Sequence, residues 1–150
     1  MNTELHFLIV NDEANMRLIL VALLKEIGYV KVSEAENGEM ALRALKTAKL
    51  VGNPIEFIIT DCSMPLMDGL NLIRTVRTDP ETKDIPILMC TARAHKENIL
   101  AAVDAGADDY IVAPFKASSL RKKFEKMFAK RNWMTVDLPG RGIDGFARIK

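Results

Sequence analysis

Two aspartates that closely follow apolar segments are the residues of this sequence best suited to chemistry. Asp12 comes after the apolar residues 7–10 and Asn11, and Asp61 comes directly after residues 57–60. Two carboxylates that meet in a dry crevice repel each other unless a hard cation lies between them. Mg²⁺ suits such a pair, because it takes one or two carboxylates, keeps its waters and leaves positions for a phosphoryl oxygen. The two residues therefore indicate a magnesium site at which phosphate could bind.

The two aspartates can meet only if the segments before them are neighbouring strands of one sheet. Short apolar segments alternate with amphipathic ones along the chain, which predicts five strands, each followed by a helix. We expect strands over 7–10, 30–32, 57–60, 87–90 and 110–112, and helices over 14–27, 38–48, 70–78, 96–105 and 117–130. Repeated strand–helix units predict an α/β fold with a doubly wound, five-stranded parallel sheet, and function gathers at the carboxyl ends of such strands.

Length and composition fit one domain of this kind. The chain has 150 residues, of which 49% are hydrophobic and 27% are charged, as in an ordinary globular protein. The longest apolar segment, residues 18–24, is too short to span a membrane, and residues 1–10 do not resemble a signal peptide. Two cysteines do not make a disulfide framework. We expect a cytoplasmic protein with one domain over residues 1–130 and no membrane span.

Charge is divided unevenly along the chain. Residues 1–115 contain 11 basic and 17 acidic side chains, a net charge of −6, whereas residues 116–150 contain 10 and three, a net charge of +7. This asymmetry favours an anionic partner for the basic end, although a solvated basic surface would explain it about equally well.

Residues 131–150 form a C-terminal extension of unknown role beyond the predicted fifth helix. They contain Arg141 and Asp144 in an Arg-x-x-Asp spacing that some proteins use to bind a cyclic dinucleotide. The two side chains are therefore candidate ligand contacts. Binding to an acidic protein surface, or no binding at all, are the alternatives.

Four blocks of sequence occur in an informative order: FLIVNDE at 7–13, FIITDCSMPLMDGL at 57–70, PILMCTA at 86–92 and GADDYIVAPF at 106–115. Together they resemble the receiver domain of two-component response regulators, of the stand-alone chemotaxis (CheY) type, and the resemblance extends from about Glu4 to Lys130. It implies the flavodoxin-like strand order 2-1-3-4-5. It also implies a phosphoacceptor protein that uses Mg²⁺ and is not an enzyme.

The resemblance assigns a role to individual residues. Asp61 matches the phosphoacceptor, Asp12 a direct Mg²⁺ ligand, and the backbone carbonyl of Ser63 the third protein ligand. Thr91 matches the switch hydroxyl, and Tyr110 the aromatic residue whose rotamer follows it. More ordinary alternatives stay open: Asp12 could cap a helix, Thr91 could be a plain strand residue, and Tyr110 could serve packing alone.

Two positions depart from the family pattern. Asn11 stands where an acidic residue usually holds Mg²⁺ through a water, and its amide oxygen can still accept that hydrogen bond, so metal binding should be weakened. Ala113 stands where the family has a lysine that pairs with the phosphoryl group. One negative and one positive charge are lost together, which leaves the formal charge of the site unchanged. Arg93 is a candidate substitute, because its guanidinium could reach a phosphoryl oxygen.

Two functions compete for this sequence. The first is a receiver that takes a phosphoryl group from a sensor histidine kinase or phosphotransfer protein. It would act on an output protein through the fourth helix, the fifth strand and the fifth helix, since no DNA-binding domain follows. The second is a degenerate, phosphorylation-independent module that binds a protein or a cyclic dinucleotide. Asn11 and Ala113 favour the second, whereas the retention of Asp12, Asp61 and Thr91 favours the first.

Enzymes of the same fold fit less well. A flavodoxin needs a phosphate-binding loop of Ser, Thr and Gly after its first strand, where this chain has Asn11-Asp12-Glu13. A haloacid-dehalogenase phosphatase needs a second aspartate where Ser63 stands.

His6 and His95 have no partners at ligand spacing and are predicted on the surface. Cys62 is predicted to be a buried filler rather than a redox-active thiol.

Overall fold

The structure, a computed structural model, describes residues 4–62, 67–92 and 96–130. Strands and helices alternate as β1 Phe7–Val10, α1 Ala14–Ile27, β2 Val32–Ala35, α2 Gly38–Leu50, β3 Phe57–Thr60, α3 Gly69–Thr78, β4 Ile87–Thr91, α4 Lys96–Ala105, β5 Asp109–Val112 and α5 Ala117–Lys130. The strands form one parallel sheet in the order β2-β1-β3-β4-β5. The predicted flavodoxin-like α/β fold is confirmed. None of the helices in these three ranges has the length and apolar character that a membrane crossing would need.

The second strand is the element whose predicted position is wrong. It occupies Val32–Ala35 rather than 30–32, and the side chain of Val30 is 69% exposed. In the sheet that the described residues form, β2 is an edge strand next to β1, so it tolerates Ser33 and Glu34 within its length. An apolar run is therefore a poor guide to such a strand. At the other elements the predicted bounds differ from the observed ones by at most two residues.

Two apolar clusters cover the two faces of the sheet. Successive side chains of a strand point to opposite faces, so Phe7 and Ile9 pack with α1 and α5, whereas Leu8 and Val10 pack with α2 and α3. On the first face the ring of Phe7 lies 4.9 Å from that of Phe57 and 5.5 Å from that of Phe124. These rings fix α5 across the starts of β1 and β3.

The expectation that His6 lies on the surface is wrong. Its side chain is 4% exposed, with Nδ1 2.9 Å from the carbonyl oxygen of Asn53 and Nε2 2.7 Å from Oγ of Ser33. These contacts join the start of β1 to β2 and to the loop before β3. The burial is possible because both ring nitrogens have partners, which come from distant parts of the sequence. His95 lies outside the described residues.

A half-buried arginine at the end of α3 connects three segments of the fold. Arg77 donates through Nη2 to Oδ2 of Asp108 at 2.9 Å, and the same oxygen accepts from the backbone nitrogen of Ile87 at 2.7 Å. Its other nitrogens donate to the carbonyl oxygens of Lys83, Ile85 and Gly106 at 2.7–2.9 Å. The guanidinium therefore holds α3 to the start of β4 and to the turn before β5.

A glycine brings α3 against the end of β3. The backbone nitrogen of Gly69 donates to the carbonyl oxygen of Cys62 at 2.9 Å, and a Cβ at this position would overlap the carbonyl oxygen of Asp61. Asp68 caps the helix by accepting from the backbone nitrogen of Asn71 at 2.9 Å. Close contact with Gly69 thus fixes the backbone that carries Asp61.

We predict that Arg77→Met lowers the free energy of unfolding by about 2–3 kcal/mol, because a partly buried charged pair and several hydrogen bonds are lost while the aliphatic stem is kept. Urea unfolding measures the change. Arg74→Met, on the exposed side of the same helix, is the control and should change stability by no more than ~0.5 kcal/mol. Equal midpoints for the two variants would contradict the role of Arg77.

We predict that Gly69→Ala costs about 1–3 kcal/mol of stability, because the added methyl group forces α3 away from the end of β3. The amide resonances of Asp61 and Cys62 should shift in a ¹H–¹⁵N correlation spectrum. Ser118→Ala, in the exposed first turn of α5, should leave both measurements unchanged. If Gly69→Ala behaves like this control, the close approach does not position Asp61.

Candidate functional site

The ends of β1 and β3 lie side by side. The two strands are in register with Val10 opposite Thr60, and the pairing continues because the backbone nitrogen of Asp61 donates to the carbonyl oxygen of Val10 at 3.0 Å. Neighbouring strands are about 4.7–4.9 Å apart. The structure therefore brings Asp61 next to Asn11, and Asp12 follows at the same edge.

The two aspartates differ in exposure. Asp12 is exposed and Asp61 is half-buried, so the expectation of a dry crevice around both is wrong at Asp12. Oδ1 of Asp61 accepts from the backbone nitrogen of Cys62 at 2.7 Å, which orients the carboxylate. Asp12 is exposed because it lies in the turn beyond β1, where the sheet no longer covers it. A cation can thus reach the pair from solvent.

Asn11 shapes the turn that presents Asp12. Its side chain is 3% exposed, and Oδ1 accepts from the backbone nitrogen of Glu13 at 2.9 Å. α1 can therefore begin at Ala14 although the side chain of Glu13, its N-cap residue, makes no capping hydrogen bond. The oxygen that we expected to hold a metal-bound water is already engaged by this backbone amide.

Arg17, in the first turn of α1, is a fixed cation near this edge that the sequence analysis missed. Its Nη1 donates to the carbonyl oxygen of Asn11 at 2.8 Å, and its Nε donates to Oε1 of Glu34 at 3.0 Å. The side chain of Arg17 is only 14% exposed. A basic residue one turn after Asp12 was the available clue, but its partner on β2 is distant in sequence.

The ends of β4 and β5 are also paired. Thr91 is 6% exposed and lies opposite Val112, and its carbonyl oxygen accepts from the backbone nitrogen of Ala113 at 2.8 Å. Thr91 and Ala113 therefore lie together. Because β4 also pairs with β3, they lie at the same edge of the sheet as Asp61. Ala113 precedes a cis peptide bond to Pro114.

Tyr110 is half-buried and contacts α5. The Nζ atom of Lys123 lies 4.9 Å from the centroid of its ring and 3.1 Å from Oδ1 of Asp109. The same carboxylate oxygen accepts from the backbone nitrogen of Tyr110 at 2.8 Å. Lys123, which connects the tyrosine to the basic helix, was not among the predicted site residues.

The residues present are compatible with Mg²⁺. An exposed and a half-buried carboxylate on adjacent strand ends are hard oxygen donors, and this ion completes its shell with water or phosphate. In the described ranges, no three His, Cys, Asp or Glu side chains gather as a metal site. Ser63, Arg93, Arg141 and Asp144, the other predicted contacts, lie outside the described residues.

The thiol beside Asp61 is poorly suited to redox chemistry. Burial raises the pKa of Cys62, and the negative charges of Asp61 and Asp68 raise it further. Burial likewise raises the pKa of Cys90 to about 12. A reactive cysteine needs a depressed pKa, so both residues remain protonated at neutral pH.

Comparison with known proteins agrees with this architecture. The family model for the response regulator receiver domain matches residues 7–125. The chain is 39% identical to chemotaxis protein CheY-3 of Vibrio cholerae over 130 residues, which is 87% of this chain and 96% of that protein. It is 42% identical to chemotaxis protein CheY of Pseudomonas aeruginosa over 125 residues, or 83% and 97% of the two chains.

A solved structure shows the same fold. The receiver domain of a sensor histidine kinase from Pseudomonas aeruginosa, with a magnesium ion coordinated in its active-site cleft, superposes with a TM-score of 0.70 at 26% identity. The match covers 83% of this chain and 98% of the other. Receiver domains act in two-component signalling, where they interact with histidine kinases and output proteins. On this sequence match and this shared fold, the chain belongs to the response regulator receiver domain family.

Proposed function

We propose that this protein is the phosphoacceptor of a cytoplasmic histidine-to-aspartate pathway, and that it is phosphorylated on Asp61 with Mg²⁺. One observation carries the proposal: Asp61, oriented by the amide of Cys62, lies at a strand end next to the Asn11-Asp12 turn. An anionic nucleophile is thereby placed beside a second carboxylate at an edge that solvent reaches. Phosphoryl transfer needs this positioning more than it needs covalent chemistry from the protein.

In the proposed reaction, a carboxylate oxygen of Asp61 attacks the phosphorus of a phosphohistidine in line. The new P–O bond forms as the P–N bond breaks, and the imidazole leaves with the electron pair and takes up a proton. Asp12, Asp61 and the backbone carbonyl of Ser63 would hold Mg²⁺, which supplies neutralising charge for the transferring oxygens. The buried position of Thr91 at the neighbouring strand end supports its role as the hydroxyl that responds to the phosphoryl group.

The surface formed by α4, β5 and α5 supports binding of an output protein. On α4 the side chains of Leu100 and Val103 are 54% and 53% exposed. Tyr110 on β5 is half-buried under Lys123 of α5. We propose that phosphorylation changes the position of Tyr110 and hence the affinity of this surface for its partner.

Asp61 should take up one phosphoryl group when the protein is incubated with acetyl phosphate and Mg²⁺. Intact mass measurement should show the added group in the parent protein and none in Asp61→Asn or in the absence of Mg²⁺. A parent that stays unmodified, with acetyl phosphate and with a competent histidine kinase, would refute phosphorylation. The protein would then be a phosphorylation-independent binding module.

Ala113→Lys should stabilise the activated state by about 1–3 kcal/mol, because it adds a cation near a partly buried phosphoryl group. Beryllofluoride binds carboxylates as a phosphoryl mimic, so its affinity in the presence of Mg²⁺ measures the effect. Lys116→Ala, three residues further and exposed, is the control and should leave the affinity unchanged. An unchanged affinity in Ala113→Lys would show that this position does not face the phosphoryl group.

A further inference from the structure

Among the described residues, only the oxygen of the Asn11 side-chain amide has a hydrogen-bond partner. Oδ1 accepts from the backbone nitrogen of Glu13, so Nδ2, on the other side of Cγ in the same plane, points away from that contact. The side chain is 3% exposed. Within residues 4–62, 67–92 and 96–130, Nδ2 has no hydrogen-bond acceptor. A buried N–H donor without an acceptor is unfavourable and rare, so this group calls for an explanation.

A phosphoryl group on Asp61 would be close enough to provide the acceptor. The backbones of Asn11 and Asp61 are adjacent across β1 and β3, because the register that pairs Val10 with Thr60 continues to Asp61. Neighbouring strands are about 4.7–4.9 Å apart, within reach of two side chains. A phosphoryl group adds three strong acceptor oxygens to the Asp61 side of this gap.

The charges around the gap favour a neutral donor at position 11. Asp12 and Asp61 each carry one negative charge, which a single Mg²⁺ would balance. Phosphorylation replaces the single charge of Asp61 with up to two on the acyl phosphate, a net gain of one. Ala113, beside Thr91, contributes a methyl group and no cation. Arg17 contacts the carbonyl oxygen of Asn11, but its charge is paired with Glu34. An aspartate at position 11 would add another negative charge and could only accept hydrogen bonds, whereas asparagine offers two N–H donors.

We propose that Asn11 is an anion-binding residue whose Nδ2 group donates a hydrogen bond to the phosphoryl group on Asp61. It thereby provides part of the stabilisation of the phosphoryl group that a cation at position 113 would give. Asn11 therefore compensates in part for Ala113. The proposal rests on phosphorylation of Asp61. It differs from the expectation that Asn11 holds a metal-bound water, because in that role its oxygen would act and its nitrogen would not.

Asn11→Asp separates the two roles. The new carboxylate keeps an oxygen for the amide of Glu13 but removes the N–H donors. We expect calorimetry to show Mg²⁺ affinity rising about threefold or more through the added charge. In saturating Mg²⁺, beryllofluoride affinity should fall roughly tenfold, the effect of losing a charge-assisted hydrogen bond. If residue 11 only held a metal-bound water, Asn11→Asp would instead strengthen the binding of both Mg²⁺ and beryllofluoride.

Two further variants make the test independent of folding defects. Asn37→Asp is the matched control, because Asn37 is a buried asparagine at the same edge whose Oδ1 accepts from the backbone nitrogen of Met40 at 2.9 Å. It should leave both affinities within about twofold. Adding Ala113→Lys to Asn11→Asp should restore beryllofluoride binding at least to the parent level, which a misfolded protein could not show.

Each outcome decides one of the two proposals. If the parent protein binds no beryllofluoride with Mg²⁺ present and takes up no phosphoryl group from acetyl phosphate or a competent histidine kinase, phosphorylation of Asp61 fails and the role of Asn11 fails with it. If the parent binds beryllofluoride and Asn11→Asp binds it equally or more tightly, the donor role alone is refuted. Opposite changes in the two affinities, together with recovery in the double variant, establish Asn11 as the donor.

Discussion

The parallel register of β1 and β3 is the constraint on which both the core and the site depend. It places Phe7 beside Phe57 at one end of the strands and the Asn11-Asp12 turn beside Asp61 at the other. A slip of one residue would turn every side chain of a strand to the opposite face. The ring cluster would then lose a member, and Asp61 would no longer align with Asn11. Core packing therefore enforces the alignment that phosphoryl chemistry requires.

Close backbone contacts hold the chain where it leaves β3 and where it enters α3. Gly69 lies against the carbonyl oxygen of Asp61, and the backbone nitrogen of Gly38 donates to the carbonyl oxygen of Met67 at 3.0 Å. A Cβ at Gly38 would meet the side chain of Met67. Glycine is needed at both places because another element approaches closely, not because the backbone is unusual there. The start of α3 thereby holds the chain at Asp61 and Cys62, and the start of α2 holds it at Met67.

The sequence predicts those parts of the fold and site that depend on local patterns. Buried strands such as β1 and β3 are apolar throughout, so the aspartates that follow them could be found as strand-end residues. β2 lies at the edge of the sheet and contains the polar residues Ser33 and Glu34, so an apolar pattern did not locate it. His6 was predicted on the surface, and Arg17 and Lys123 were not predicted at the site, for a different reason. Their hydrogen-bond partners Ser33, Asn53, Glu34 and Asp109 lie 14 to 47 residues away, and only the folded sheet brings them together.

The pairing of β4 with β5 connects the site to the proposed output surface over few residues, and the contacts that restrain Tyr110 are weak. Thr91 pairs with Val112, two residues after Tyr110, so a shift at Thr91 would act on the strand that carries the tyrosine. The half-buried ring of Tyr110 lies against the cation of Lys123, which also pairs with Asp109.

A partly exposed cation–π contact and a partly exposed ion pair contribute about 1–2 kcal/mol together. A change of only ~1.4 kcal/mol alters a two-state equilibrium tenfold, which is within the range of one charged hydrogen bond. Because the restraint on Tyr110 and the energy available at Asp61 are of similar size, the proposed phosphorylation would change the population of the tyrosine conformers without unfolding the surface around it.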